Sequence, residues 1–199
     1  MQIDKKKEYN VNGYLYKNFT QLNKDEITQI WNWRNSYEIR RYFYNSDKIS
    51  LQTHYNFIKT LEMRNDVCYW LVVENYNPIG VMDLTDIKIH EERAEIGYYI
   101  IPEMLENGIG LNFVYTNLVF AFEKIGCKKI LGGVHKDNRN ARLLDEYLGF
   151  TLNENKESVD YDISPFMSLK IERDDFLKYS TKKNDIIAFV KYLKKHNQE

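Results

Sequence analysis

The feature that most constrains the fold is a change of hydrophobic period near the middle of the chain. Helical patterns give way there to a meander, three consecutive segments rich in β-branched and aromatic side chains, and this composition is typical of strands. The segments are residues 67–74, 79–86 and 94–101. Asn77-Pro78 stands between the first two as a turn, which predicts a hairpin whose loop is longer than two residues. On the third strand Glu95 shares one face with Tyr99.

Helical patterns flank this meander on both sides. Asn23 can cap a first helix, with Glu26 closing a capping box, and a second helix begins after Ser50. The later elements are a helix over about 111–125 ended by Gly126, a strand over 129–135, a helix over 139–148 capped by Asn138 and ended by Gly149, an antiparallel pair over 150–155 and 166–173, and an amphipathic helix over 185–196. This order predicts an α+β fold with a mixed sheet.

Composition excludes several classes of protein. The 199 residues suit one domain with room for an appendage, and 28 basic against 29 acidic residues argue against nonspecific binding of nucleic acid or of an anionic membrane. No apolar run reaches the ~18 residues of a transmembrane helix. Cys68 and Cys127 alone form neither a disulfide framework nor a four-ligand zinc site, so we expect a cytoplasmic protein without a metal.

A strand–glycine–helix junction is the stretch most informative about chemistry. Gly108-Ile109-Gly110 follows the third strand and opens the long helix. Backbone N–H groups converge there with the positive end of the helix dipole, and glycine lets an anion approach closely. The pattern is weak by itself, since glycines at a helix start are common turn residues. It lacks the Lys-Ser/Thr of a phosphate-binding P-loop and the third glycine of a dinucleotide fingerprint.

In combination with its neighbours, the junction resembles the GNAT superfamily of acetyl-CoA-dependent N-acetyltransferases. The matching pieces are Glu95-Ile96-Gly97-Tyr98, Gly108-Ile109-Gly110, Asn138 with Ala141, and Gly149-Phe150. The resemblance implies a GNAT-like, mostly antiparallel central sheet flanked by helices, with an extra C-terminal helix. It divides the chain into an N-terminal extension (1–13), the acetyltransferase domain (14–173) and a C-terminal helical tail (174–199).

The resemblance also implies acetyl-CoA as co-substrate. In that superfamily the glycine junction holds the CoA pyrophosphate, and the pantetheine arm lies between the strand before the junction and the strand after the helix. Those strands would be 98–101 and 129–133 here. The implied cofactor-binding residues are Tyr98, Ile100, Ile101, Leu105, Asn107, Gly108, Ile109, Gly110, Leu111, Asn138 and Ala141.

More narrowly, the chain resembles the branch that N-acetylates UDP-4-amino sugars in pseudaminic acid biosynthesis. The pieces are Trp33-Arg34-Asn35, His54 with Phe57-Ile58, residues 79–83, Ile101-Pro102 and residues 136–138. The implied partner is a small-molecule amine, a nucleotide sugar, bound by Trp33, Arg34, Asn35 and His54. The alternatives are a protein N-terminus, a polyamine or an aminoglycoside as acceptor, and a CoA-binding module without catalysis. The C-terminal helix could close a homodimer, cover the sheet edge or dock a partner.

Two catalytic residues and two departures follow from the superfamily pattern. Glu95 is the expected general base for direct attack by the amine, against the alternative of a surface or salt-bridged glutamate. Leu105 stands where the family has Gln or Arg. Asp145 stands where the family often has the Tyr that protonates the leaving thiolate. In this chain the proton could come from Tyr99, from a water or from a protonated Asp145. The remaining alternative is that the thiolate leaves unprotonated.

Overall fold

The computed structural model describes residues 1–154 and 165–196, with the side chains of 179–183 outside that description. The predicted loop over 156–165 lies, apart from Pro165, outside the described residues. The strands are β1 (Tyr9–Val11), β2 (Tyr14–Asn18), β3 (Cys68–Glu74), β4 (Asn77–Lys88), β5 (Arg93–Ile100), β6 (Lys129–His135), β7 (Thr151–Leu152) and β8 (Phe166–Glu172). The α-helices are α1 (Lys24–Asn35), α2 (Tyr37–Arg40), α3 (Leu51–Leu61), α4 (Gly110–Val119), α5 (Arg139–Leu148), α6 (Arg173–Lys183) and α7 (Ile186–His196).

Within the described residues the strands form one sheet in the order β1-β2-β3-β4-β5-β6-β8-β7. Every neighbouring pair is antiparallel except β5 and β6, which run parallel. The predicted α+β fold with a mixed, mostly antiparallel sheet flanked by helices is confirmed.

The two faces of the sheet pack on different helices. Trp70, Met82 and Ile96 face a large core that includes α4 and α5. Leu71 and Val81 face a smaller core with α1 and α3. Because successive side chains of a strand point to opposite faces of the sheet, neighbouring residues of β3, β4 and β5 pack against different sets of helices.

Local signals in the sequence place most of the helices. Asn23 accepts hydrogen bonds from two backbone N–H groups of the first turn of α1, and Glu26 closes the predicted capping box. Asn138 caps α5, and Gly149 ends it with a left-handed backbone. After Val119 the helix continues as a π-helix to Ile125, and Gly126 then ends it at φ 85°.

The structure corrects the predicted hairpin between β3 and β4. Its turn is the two-residue Asn75-Tyr76, with both residues at positive φ, so Asn77 and Pro78 already belong to β4. This geometry is that of a tight turn whose twist matches the flanking strands. The expectation of a longer loop is wrong because Asn75 adopts the left-handed conformation and Pro78 sits at the start of a strand.

Other elements are not among those predicted. The hairpin of β1 and β2 turns at Asn12-Gly13 and adds two strands to the sheet, so residues 9–11 pair with β2 although they lie in the predicted extension. Helices α2 and α6 are the other additions. Phe176 of α6 is fully buried against the large core.

Candidate active site

The sheet opens between its two parallel strands. Arg93 lies opposite Lys129, Ala94 opposite Ile130 and Glu95 opposite Leu131, and the pairing of β5 with β6 stops there. Beyond that point β5 continues on β4, and β6 continues on β8. Residues 97–100 are therefore only half-buried, and Gly133 is exposed inside its strand. The predicted splay is present, and its backbone groups are available to an extended ligand.

The glycine junction lies at one end of this opening. After β5 the chain makes a 3₁₀ turn over Pro102–Met104, and Gly108 then takes a left-handed φ of 71°. Helix α4 begins at Gly110, and no side chain caps its first turn. Its leading N–H groups are thus free of a side-chain cap and favour an anionic ligand. A Cβ on Gly110 would make only ordinary contacts with Leu144 and Ile100.

The other implied cofactor residues surround the same opening. Leu105 is exposed, and Asn107 donates a hydrogen bond to the Met104 sulfur. Asn138 uses its Oδ1 to cap α5 by accepting from the Ala141 backbone N–H at 3.3 Å. Their contact with a cofactor stays a prediction.

A polar floor lies on the sheet face that α1 and α3 cover. It consists of Tyr69 on β3, Asp83 on β4, and Glu95 and Tyr99 on β5, all half-buried. Tyr69 pairs with Asp83 across the ladder, and Glu95 pairs with Thr85, one step diagonal from Asp83. The sequence predicts Glu95 and Tyr99 on one face, and the structure adds Tyr69 and Asp83 to them.

The Asp83 carboxyl is the unusual member of this floor. Burial, followed by the nearby charge of Glu95, raises its pKa to about 7. Gly97 lies opposite Asp83, and a Cβ there would stand 2.6 Å from one carboxylate oxygen. Sequence reasoning missed Asp83 because its relation to Gly97 and Glu95 depends on the register of two strands.

An aromatic loop, residues 41–50 between α2 and α3, folds across the opening. The Tyr42 ring lies 5.8 Å from that of His135 at the end of β6. Phe43 lies 5.9 Å from Tyr99 on β5, and Tyr44 stacks on Phe166. The loop therefore contacts both sides of the splay on the face that α1 and α3 cover. This face is called the acceptor side, because the predicted acceptor residues belong to α1 and α3.

The predicted acceptor residues of α1 hold this loop in place. Arg34 donates to the carbonyl oxygens of Asp47 at 2.6 Å and Asn45 at 2.9 Å. Asn35 exchanges two hydrogen bonds of 2.9 Å with the backbone of Ile49. Trp33 is buried, and its indole N–H donates to Glu103 at 3.3 Å. These contacts shape the acceptor side, and direct contact with a substrate stays a prediction.

His54 is buried between α1 and α3. Its Nε2 is buried and makes no hydrogen bond within the described residues. Burial is the main cause that lowers the pKa of His54 to about 4, and the charge of Arg34 lowers it further. The imidazole is therefore neutral at physiological pH. Its predicted contact with the acceptor stays untested.

Asp145 and Tyr99 lie on opposite faces of the sheet. Asp145 is buried on α5 and accepts a hydrogen bond of 2.6 Å from the Tyr98 hydroxyl. Burial raises the pKa of Asp145 to about 7, although the bond from Tyr98 lowers it. Burial also raises the pKa of Tyr99, with the charge of Asp83 adding to the effect. Both groups hold a proton more tightly than they would in water.

Metal clusters and membrane-spanning helices are both absent from the described residues. Among them, no group of three or more His, Cys, Asp or Glu side chains is arranged to hold a metal ion. In the same part of the chain, no helix combines the length and apolarity needed to cross a membrane.

A sheet that opens between two parallel strands, beside a glycine-bearing helix start, is the arrangement of GNAT acetyltransferases. Residues 18–151 match the family model described as an acetyltransferase (GNAT) domain. The chain belongs to this family and is an acyltransferase.

Within the family the chain is similar to proteins named PseH. It is 33% identical to the acetyltransferase PseH of Campylobacter jejuni subsp. jejuni serotype O:23/36 (strain 81-176). The alignment has 142 residues and covers 71% of this chain and 87% of that protein. The crystal structure of Campylobacter jejuni N-acetyltransferase PseH in complex with acetyl coenzyme A superposes with a TM-score of 0.62 at 26% identity, covering 80% of this chain and 99% of that one. The spermidine N-acetyltransferase from Vibrio cholerae has a TM-score of 0.71 at 19% identity, covers 83% of this chain and 98% of its own, and shows the shared fold alone.

Proposed function

We propose that the protein transfers an acetyl group from acetyl-CoA to the 4-amino group of a nucleotide-linked amino sugar. The single observation that carries this acceptor is the separation of charge on the acceptor side. Asp83 and Glu95 lie on the polar floor, whereas three cations lie on neighbouring elements: Arg34 on α1, which interacts with Tyr99 and with Arg40 of α2, and Arg41 in the aromatic loop, which stacks on Tyr42. A nucleotide amino sugar carries an ammonium group at one end and a diphosphate at the other, so it matches both charges.

The donor enters the splay under this proposal. The pantetheine arm takes the place of a strand between β5 and β6, and the pyrophosphate lies at the start of α4. The similarity to PseH, which binds acetyl coenzyme A in its crystal structure, supports this placement.

Transfer of the acetyl group then requires a neutral amine and a polarised thioester carbonyl. Glu95 takes one proton from the ammonium group, and the nitrogen lone pair attacks the thioester carbonyl carbon. Tyr99 lies on the same face and donates its phenolic proton to the departing thiolate. The geometry is suited to direct transfer, because both buried cysteines have raised pKa values and make poor nucleophiles.

The setting and assembly are proposals of the same kind. The two free cysteines fit a reducing cytoplasm, where a nucleotide sugar and acetyl-CoA are both available. The homodimer predicted from the C-terminal helix stays a proposal.

A competition assay tests the acceptor. Purified protein and acetyl-CoA meet a pool of UDP- and dTDP-linked 4-amino sugars, spermidine, an aminoglycoside and an N-terminal peptide, and products are read by mass spectrometry. We expect the nucleotide amino sugar to be acetylated first. Preferential acetylation of spermidine, the antibiotic or the peptide would overturn the acceptor and keep the enzyme class.

A matched pair of variants tests the base. Glu95→Gln should lower kcat about 100-fold, in line with the contribution of a general base. Glu74→Gln makes the same chemical change at the far end of β3 and should keep wild-type kcat. An unchanged pH profile for Glu95→Gln would remove Glu95 from the reaction.

A further inference from the structure

Asp83 is a carboxylate that the fold itself does not use. It makes no hydrogen bond or ion pair within the part of the chain that the structure describes, although it lies in the centre of the sheet. Arg93 and Lys88, the cations nearest along these strands, are paired with Asp86 instead. A half-buried carboxylate without a partner costs stability, so its presence at this position points to a ligand.

The backbone around Asp83 leaves room for its side chain. Gly97 is its ladder partner, and a Cβ there would stand 2.6 and 2.7 Å from the two carboxylate oxygens. The carboxylate therefore occupies the space that a side chain on β5 would fill. Both oxygens lie on the α1–α3 face, toward the half-exposed Glu95 and Tyr99.

Titratable groups of both neighbouring strands interact with Asp83, and a cation of α1 lies near one of them. Tyr69 and Cys68 interact with it from β3, and Glu95 and Tyr99 do so from β5. From α1, Arg34 interacts with Tyr99, but its guanidinium is already bound by two loop carbonyls. Asp83 thus has a second carboxylate beside it and no cation bonded to it within the described residues.

We propose that Asp83 is a second carboxylate of the acceptor site, which accepts a hydrogen bond from the substrate's ammonium group and holds it beside Glu95. The proposal rests on the proposed function only in requiring a primary amine as acceptor. One N–H bond of the ammonium breaks and an O–H bond forms on Glu95. The freed lone pair forms the C–N bond at the thioester carbon, the C–S bond breaks, and its electron pair leaves on sulfur. Tyr99 gives its phenolic proton to that sulfur and regains one from the acylated nitrogen, which leaves a neutral amide and a thiol.

Two neighbouring carboxylates suit this step for a physical reason. Before the amine arrives, burial and, after it, the charge of Glu95 raise the pKa of Asp83 to about 7 and favour a proton on the pair near neutral pH. An arriving ammonium group replaces that proton as the positive partner. Binding of the amine is therefore coupled to ionisation of Asp83, and it should weaken as the pH falls below about 7.

The test compares Asp83→Asn with Asp66→Asn, the same chemical change at an exposed carboxylate paired with Arg64. The amine used is the compound that the wild type acetylates most efficiently in the competition assay described above. We expect Asp83→Asn to raise KM for that amine and lower kcat/KM about 10- to 100-fold, with KM for acetyl-CoA unchanged. The limb of the kcat/KM profile near pH 7 should disappear, and Asp66→Asn should retain it.

Two further measurements separate this role from a structural one. UDP-N-acetylglucosamine has no free amine, so its binding by calorimetry should be equal in the wild type and in Asp83→Asn, and weaker binding by the variant would indicate a structural role instead. Gly97→Ala should push the carboxylate aside and reproduce the loss in amine KM while the charge remains.

The outcomes are distinct for the two proposals. An Asp83→Asn enzyme with wild-type amine KM and pH profile would overturn the role of Asp83 and leave the proposed acceptor intact. A wild type that acetylates spermidine rather than a nucleotide sugar would overturn the acceptor, and the Asp83 comparison would still be made with spermidine.

Discussion

At the scale of single residues, the Asp83 carboxylate of the polar floor lowers the stability of the folded protein when it is charged. The pKa of Asp83 is raised from 3.8 to about 7, so the folded state binds a proton more tightly than the unfolded chain. The stability that Asp83 contributes through this proton is therefore fully present below its unfolded pKa and is lost as the pH rises through about 7. The same sign holds for Asp145, whose pKa is also raised to about 7.

Asp83→Asn should consequently be more stable than the wild type at alkaline pH. We expect a gain of about 2 kcal/mol in the free energy of unfolding at pH 8, below the full value of the pKa shift because the carboxyl is partly solvated. The gain should shrink as the pH falls towards 4. Urea unfolding at several pH values measures it, and a variant less stable than the wild type at pH 8 would contradict the prediction.

The proton for the leaving thiolate can be assigned by comparing residues on opposite faces of the sheet. Tyr99→Phe should lower kcat about 10- to 100-fold if Tyr99 donates that proton. Asp145→Asn removes the partner of Tyr98 on the other face and should lower kcat less. Single-turnover kinetics measures both, and a larger loss in Asp145→Asn would move the donor to the Tyr98–Asp145 pair.

At the scale of elements, the aromatic loop depends on helix α1 for its position. Asn35→Ala removes both hydrogen bonds to Ile49, each contributing about 0.5–1.5 kcal/mol. We expect KM for the acceptor to rise several-fold while KM for acetyl-CoA stays constant. Asn32→Ala, on the exposed side of the same helix, is the control and should change neither constant.

The predictability of the elements follows from where their signals lie. The sequence predicts β6 and α5 to the residue, because a short apolar run after a helix-ending glycine and a capped, glycine-ended helix are local patterns. The β1–β2 hairpin escaped prediction although Asn12-Gly13 is a strong turn signal, because its first strand has only three residues.

The site is less predictable than the elements. Glu95 and Tyr99 could be placed on one face by alternation along a single strand. Asp83 could not be added to them, because its place opposite Gly97 is a matter of register between two strands. The contacts of Arg34 and Asn35 likewise join a helix to a loop more than ten residues away.

At the scale of the whole molecule, the core extends past the region that matches the family model. Phe176 is fully buried, with its ring 5.3 Å from Phe122 and 5.5 Å from Tyr115. Phe176→Ala should lower the free energy of unfolding by about 3–5 kcal/mol. Ile187→Ala, at an exposed position of α7, should change it by less than about 0.5 kcal/mol. Similar losses in the two variants would place α7 in the core as well.

The short parallel ladder between β5 and β6 gives the molecule a mechanical property. Three residue pairs carry the hydrogen-bonded continuity of the described sheet across its centre, whereas β4 and β5 share a much longer ladder. Each half of the sheet is held together by antiparallel pairing, and the large core with α4 and α5 packs across both halves on one face. Under applied force, the backbone ladder at this seam should therefore yield before the longer β4–β5 ladder, while the shared core on one face keeps the two halves together.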